Sequence, residues 1–139
     1  MSLVLVIEDQ EDACGLVQRL LMRMGHTVVC VEHASEADLW LRSNSPELVI
    51  LGTGRQGELA LERLQVLERH GVEGSRVLLG ARADARELVI RKYGHKVREV
   101  FDSPQGLDGL EAMVRRAFQA RADGRGEEGE RSGAERDAS

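Results

Sequence analysis

Short, nearly continuous apolar runs alternate with amphipathic stretches along most of the chain. The apolar runs are typical of strands that are buried on both faces of a parallel sheet. In the stretches between them, apolar residues recur at spacings of three and four, which predicts helices. The predicted strands are residues 3–7, 27–31, 47–51, 76–79 and 97–101, and the predicted helices are residues 13–24, 34–42, 57–70, 83–93 and 105–120.

Five strand–helix alternations predict an α/β fold with a parallel sheet, right-handed crossovers and helices on both faces. A chain of 139 residues is of the size expected for one domain with a single core. We expect this domain to span residues 1–120. Residues 121–139 contain no large apolar side chain, so they are predicted to be a disordered tail rich in Gly, Glu and Arg.

Charge and cysteine content exclude several classes of function. A net charge of −5, with no cluster of Lys or Arg, argues against a nucleic-acid partner. The apolar run 3–7 is too short to span a membrane, so we expect a cytoplasmic protein with no membrane contact. Cys14 and Cys30 do not have the spacing of metal ligands, and they are predicted to be buried free thiols in a reducing cytosol.

Residues 52–57 spell Gly-Thr-Gly-Arg-Gln-Gly between a predicted strand and a predicted helix. Gly52, Gly54 and Gly57 therefore match the G-x-G-x-x-G pattern of dinucleotide-binding turns. Arg82, after the next strand, could contact the 2′-phosphate of NADP, so an NADP-binding protein is one alternative. Against it, this pattern usually opens its domain, whereas here two strand–helix units precede it.

Four short segments together resemble the receiver domain of bacterial two-component response regulators. They are Glu8-Asp9, the stretch from Pro46 to Gly52, Gly80-Ala81 and Ser103-Pro104, and the resemblance covers roughly residues 3–119. It implies a flavodoxin-like (CheY-like) doubly wound fold with five parallel strands in the order 2-1-3-4-5. It also implies a site at the carboxyl ends of the strands.

The resemblance assigns a family role to each site position, but most of the required side chains are absent. Glu8 and Asp9 match the acidic pair that holds magnesium in receivers. Gly52 stands at the phospho-acceptor aspartate, Gly80 at the hydroxyl residue, and Ser103 at the lysine. Because glycine cannot form an acyl phosphate, we expect a degenerate pseudo-receiver that is not an enzyme and has no catalytic residue or cofactor. Weak Mg²⁺ binding at Glu8 and Asp9 stays open, as does a plain helix-capping role for these carboxylates.

These observations predict a stand-alone receiver-like protein of two-component (phosphorelay) signal transduction that acts by phosphorylation-independent protein–protein interaction. The partner is either a signalling protein or a second copy of the chain. Receivers commonly bind partners through the fourth helix, fifth strand and fifth helix. The candidate contacts on this face are Leu88, Ile90, Lys92, Arg98, Arg115 and Arg116. A conventional phosphorelay receiver with an unorthodox acceptor is a further alternative.

Overall fold

Strands and helices alternate along the chain in the computed structural model, which describes residues 2–102 and 107–122. The strands are β1 (Leu3–Ile7), β2 (Thr27–Val31), β3 (Leu48–Gly52), β4 (Val77–Ala81) and β5 (Glu99–Asp102). The helices are α1 (Glu11–Arg23), α2 (Ala34–Leu41), α3 (Ala60–Arg69), α4 (Arg86–Tyr93) and α5 (Leu107–Ala122). Short 3₁₀ turns, Gly74–Arg76 and Gly94–Lys96, lie before β4 and β5.

The five strands form one parallel sheet in the order β2-β1-β3-β4-β5, which confirms the predicted flavodoxin-like fold. Strand β1 pairs with β2 on one side and with β3 on the other, so later strands are added on the opposite side of β1 from β2. The register places Gly52 at the end of β3 directly beside Gly80 of β4. The strand order therefore brings residues 8–9, 52 and 80 to one edge of the sheet, where such folds bind ligands.

Alternate residues of each strand point into two separate cores. On one face, residues such as Leu5, Val49 and Leu79 pack with α2, α3 and α4. On the other face, Val4 and Ile50 pack with α1 and α5. This arrangement explains why the strands are continuously apolar, since a two-residue period with both faces covered leaves no polar position.

Several element boundaries differ from the sequence prediction, among them the starts of α3, α4 and β5. Helix α3 begins at Ala60 rather than at residue 57, because Gly54 and Gly57 have φ values of +87° and +81°. These left-handed conformations form a loop that cannot be helical. Helix α4 begins at Arg86 rather than at residue 83, and β5 begins at Glu99 rather than at residue 97.

The inner faces of α3 and α4 are not made simply of their largest apolar residues. Leu61 is 50% exposed, whereas Arg63 is only 2% exposed. In α4, Val89 is buried and its neighbour Leu88 is exposed. In α3 the buried residues are Ala60, Arg63, Val66 and Leu67. The buried side of this helix therefore includes a charged residue.

The prediction that the two cysteines are free thiols is wrong for this structure. Cys14 and Cys30 are paired as a disulfide, with their Cα atoms 6.7 Å apart. Helix α1 packs along β2, which brings the first turn of the helix within the range of Cα separations found in disulfides. The two residues lie in different elements, 16 positions apart in the sequence, and only this packing brings them together.

None of the helices in the described part of the chain is both long enough and apolar enough to cross a lipid bilayer. The predicted domain end near residue 120 falls within α5, which continues to Ala122. The predicted disordered tail lies outside the described residues, apart from the last two residues of α5.

Candidate functional site

A cleft of about 440 Å³ opens at the carboxyl edge of the sheet, above the ends of β1, β3 and β4. Its floor contains Gly52 and Gly80, and its rim carries both carboxylates and guanidinium groups. The lining residues with charged side chains are Glu8, Asp9, Asp12, Arg55, Glu58 and Arg82. The structure thus brings Glu8, Asp9, Gly52, Gly80 and Arg82 to one cleft.

The side chain of Glu8 occupies the space above Gly52. A Cβ atom added to residue 52 would overlap Oε1 of Glu8 and lie 2.9 Å from its Cδ. The other oxygen, Oε2, accepts a hydrogen bond of 2.9 Å from the backbone N–H of Gln10, which holds the carboxylate in place. Residue 52 therefore has no side chain of its own, and the space beside it is filled by the carboxylate of Glu8, which directly follows β1.

Arg63 reaches from α3 into the sheet beneath this carboxylate. Its guanidinium donates to the carbonyl oxygen of Gly52 at 2.7 Å and, more weakly, to that of Ile7 at 3.4 Å. It also donates to the carbonyl oxygen of Glu32 at 3.2 Å and to Oδ1 of Asp9 at 3.1 Å. One buried cation thus links the carboxyl ends of β1, β2 and β3.

The two members of the acidic pair have opposite pKa shifts. Burial raises the pKa of Glu8, and the hydrogen bond from Gln10 only partly offsets this effect. Burial would also raise the pKa of Asp9, but the hydrogen bond and charge of Arg63 overcome it and lower this pKa below its ordinary value. Asp9 is therefore engaged by an internal cation, while Glu8 is a carboxylate whose ionised form is disfavoured.

The capping interpretation of these carboxylates is only partly correct. The N-cap residue of α1 is Gln10, whose side chain makes no capping hydrogen bond, and Asp9 binds Arg63 instead. Glu11 and Asp12 lie in the first turn of α1, where their charges interact favourably with the positive end of the helix.

A buried hydroxyl links the ends of β3 and β4. Thr53 is almost fully buried and donates a hydrogen bond of 2.8 Å to the carbonyl oxygen of Gly80. Gly80, which the resemblance places at the hydroxyl position, has no side chain, and the hydroxyl of Thr53 is bound to the protein backbone. Ser103, which the resemblance places at the lysine position, lies outside the described residues.

The glycine-rich loop already carries an anion from its own chain. The carboxylate of Glu58 accepts a hydrogen bond of 2.8 Å from the N–H of Gln56, and a Cβ on Gly54 would overlap this carboxylate. Hydrogen bonds from the backbone of the loop lower the pKa of Glu58. A dinucleotide pyrophosphate needs these N–H groups, and the helix does not begin until Ala60. Both features weigh against the NADP alternative, which stays a hypothesis.

The predicted partner-binding residues differ in their exposure and in their contacts within the chain. Leu88 and Ile90 are 37% and 40% exposed and flank the buried Val89, so they lie on two different sides of α4. Lys92 is exposed at the end of the same helix.

The three arginines of this set already have partners within the chain. Arg98 donates to the carbonyl oxygen of Ser75 at 2.6 Å. Arg115 binds Glu111, and Arg116 makes a bidentate contact with Glu99. Ion pairs of this exposed kind are weak, so a partner could replace them at little cost.

Within residues 2–102 and 107–122, no group of three or more His, Cys, Asp or Glu side chains is arranged to hold a metal ion. The acidic pair supplies at most two carboxylates, because residue 52 has no side chain, and one of these two is bound to Arg63. Any divalent cation at this site would have to compete with that guanidinium.

Solved structures of receiver domains resemble this chain closely in fold and weakly in sequence. A Francisella response regulator receiver domain has a TM-score of 0.73 and 15% identity, over 87% of this chain and 99% of its own. A receiver domain protein from Clostridium thermocellum has a TM-score of 0.72 and 16% identity, over 88% and 98%. The regulator TrrA from Thermotoga maritima, solved with Mg²⁺ and BeF, has a TM-score of 0.68 and 20% identity, over 84% and 99%.

The chain has the receiver fold. Such low identities establish this fold alone. No protein-family model matches the sequence. No curated protein matches it either.

Three site residues were not identified from the sequence: Arg63, Thr53 and Glu58. Arg63 was detectable in principle, since it interrupts the apolar stripe of a predicted helix at a core-facing position. Thr53 and Glu58 carry no such signal. Their roles depend on a loop conformation set by two glycines with positive φ.

We expect Arg63→Met to lower the free energy of unfolding by about 3–5 kcal/mol, because it leaves Asp9 and several strand-end carbonyls without their buried partner. Urea denaturation at neutral pH measures this loss. Arg69→Met, in the exposed last turn of the same helix, is the control and should change stability by less than about 0.5 kcal/mol. Equal stabilities for the two variants would contradict the structural role of Arg63.

We expect Glu8→Gln to stabilise the protein at neutral pH. Because the pKa of Glu8 is raised in the folded state, the folded chain binds this proton more tightly than the unfolded chain does. Stability is therefore lost as the pH rises from the ordinary value of 4.5 through the folded pKa, and glutamine removes that loss. Melting temperatures from pH 3 to 8 should show an advantage for the variant that disappears in acid.

Asp9→Asn is the matched control, and the opposite sign is expected. The lowered pKa of Asp9 means that its stabilisation is present above the ordinary value of 3.8 and is lost as the pH falls through the folded pKa. This variant should be less stable than the parent at neutral pH and similar to it in strong acid. A common sign for both variants would contradict the assigned environments.

Proposed function

We propose that this chain is a non-enzymatic, receiver-like signalling module that acts by binding a protein partner without being phosphorylated. The observation that carries the proposal is the carboxylate of Glu8 above Gly52, where a receiver needs an acceptor side chain. Phosphoryl transfer requires a nucleophilic oxygen aligned with the phosphorus atom, and residue 52 offers none.

The surroundings of Gly52 support the same conclusion. Gly80 offers no hydroxyl to a transferred phosphoryl group, and Thr53 donates its hydroxyl to a backbone carbonyl. Arg63 is a cation at the site, but it is bound below the cleft floor to carbonyl oxygens and Asp9. The charge stabilisation that speeds phosphoryl transfer requires donors directed at the transferred group.

A protein of this kind needs an input other than phosphate. A two-state equilibrium shifts only when a ligand binds one state more tightly than the other. A protein partner, a weakly bound Mg²⁺ ion or self-association would fill this role. The contacts of Arg63 and Thr53 with strand ends favour one arrangement of the cleft, which suits recognition of a fixed shape.

The proposed binding surface is formed by α4, β5 and α5. Helices α4 and α5 both contact β5, so the three elements are contiguous. Two exposed aliphatic side chains and several cations on these elements offer apolar contact together with charge, a combination typical of interfaces. Because Leu88 and Ile90 lie on different sides of α4, a single partner is expected to depend on one of them more than on the other.

We expect the folded chain to remain unmodified when incubated with acetyl phosphate and Mg²⁺. Intact-mass measurement under neutral conditions would detect the mass of one phosphoryl group. A receiver that retains its acceptor aspartate, treated in the same tube, shows that the reagent is active. An acid-labile adduct on this chain would support the alternative of an unorthodox acceptor, and tandem mass spectrometry would then identify the residue.

We expect either Leu88→Glu or Ile90→Glu to reduce partner capture by the full chain at least about tenfold, since a charge buried in an interface is costly. Capture from a lysate, followed by quantitative mass spectrometry, measures this effect. Analytical ultracentrifugation of the same variants tests self-association. Leu39→Glu on α2, where the side chain is 65% exposed, is the control and should retain binding. Undiminished binding by both α4 variants would place the interface elsewhere.

A further inference from the structure

The disulfide joins the beginning of α1 to the edge strand β2. Cys14 lies in α1 and Cys30 in β2, at a sequence separation of 16. The sulfur of Cys30 also lies 3.9 Å from the carbonyl oxygen of Cys14, so the two elements are close at this point apart from the covalent bond. Strand β2 is an edge strand that pairs only with β1, and the disulfide is a covalent cross-link between this strand and α1.

Both cysteines are reached from the surface. Each is half-buried, and together they line an open cleft of about 740 Å³ between α1 and the end of β2. A cleft of this size admits a small organic molecule. A disulfide is broken and formed by in-line attack of a thiolate on sulfur, so this access is what the reaction requires.

The negative charge of this cleft favours some disulfide and thiol reagents over others. Four carboxylates line it, from Glu8, Glu11, Asp12 and Glu32, against a single guanidinium from Arg19. A cleft with an excess of negative charge concentrates cations and repels anions, most strongly at low ionic strength.

We propose that Cys14 and Cys30 form a thiol–disulfide exchange site whose preferred reagents are small cationic disulfides. In the oxidising direction, one cysteine thiolate attacks the reagent disulfide and releases one reagent thiolate, leaving a mixed disulfide. The second cysteine thiolate then attacks the protein sulfur and releases the other reagent thiolate. The protein loses two protons and two electrons, and the reagent disulfide becomes two thiols. A small dithiol reverses both steps.

The bond lies next to the cleft above Gly52, so its state acts on that region. The residues that follow Cys30 are directly involved: the N–H of Glu8 donates to the carbonyl of Val31 at 2.9 Å, and Arg63 donates to that of Glu32. Reduction removes the covalent tie between α1 and this strand end. The exchange site would thus supply a chemical input to a cleft that has no phospho-acceptor.

The chemistry is tested on the full chain without any partner, so its outcome is independent of the proposed function. The protein is fully reduced, desalted, and exposed at low salt to cystamine, a dicationic disulfide, or to oxidised glutathione, which is anionic. Intact mass and thiol alkylation follow the reaction. We expect a monomer that has lost two hydrogens, protects both cysteines from alkylation and carries no reagent. Cystamine should react faster, and added salt should reduce its advantage.

Two further measurements complete the test. Dithiothreitol should restore both thiols without denaturant, and the oxidised form should melt roughly 10 °C higher, because closing a loop of this length restricts the unfolded chain. Cys14→Ser and Cys30→Ser should each stop at the mixed disulfide on the remaining cysteine. The parent measurements do not depend on the folding of these variants.

Several results would overturn the proposal. A persistent reagent adduct on the parent protein, disulfide-linked dimers, or thiols that stay alkylatable would exclude an intramolecular exchange site. A bond that dithiothreitol opens only after denaturation would be a structural disulfide. Equal rates with cystamine and glutathione at low salt would overturn the preference for cationic reagents.

Discussion

The structure depends on one buried guanidinium. In a parallel sheet the carbonyl oxygens at the carboxyl ends of the strands have no further strand residues to bond, and here Arg63 binds such carbonyls from three neighbouring strands as well as Asp9. Burying a cation is costly, and these acceptors offset the cost only because all of them are satisfied together. The side chain thereby fixes the relative positions of the strand ends around which the cleft is built.

The absence of a side chain at residue 52 is matched by the residues around it. The carboxylate of Glu8 lies where an acceptor side chain would begin, and Arg63 binds the carbonyl of Gly52 from below. Placing any side chain at this position would therefore require the Glu8 carboxylate to move. The chain's own groups occupy the site. Its structure is therefore not simply that of a receiver from which one side chain has been deleted.

The same pattern extends to the neighbouring loop and strand. The carboxylate of Glu58 accepts a hydrogen bond from the backbone N–H of Gln56 in the glycine-rich turn, and the hydroxyl of Thr53 donates to the carbonyl of Gly80. Glu58, Thr53 and Arg63 are thus each bound to other groups of the chain at this end of the sheet. On the opposite side of Glu8, the Cys14–Cys30 bond joins α1 to β2, so covalent and ionic contacts meet at this end of the sheet.

The sequence by itself determined the fold. A period of two within continuously apolar strands, and periods of three and four within helices, are local properties, and they were sufficient to predict the alternating strands and helices of a parallel α/β fold. The strand order, and the expectation that Glu8, Gly52 and Gly80 lie at one edge, followed from the resemblance of short segments to receiver domains. Only the tertiary structure decided which side chains fill that edge. The role of Arg63, the overlap of Glu8 with residue 52, and the pairing of Cys14 with Cys30 are contacts between distant segments, which depend on how helices pack against the sheet. Of these three, only Arg63 leaves a local trace in the sequence, as a charge within the apolar stripe of a helix.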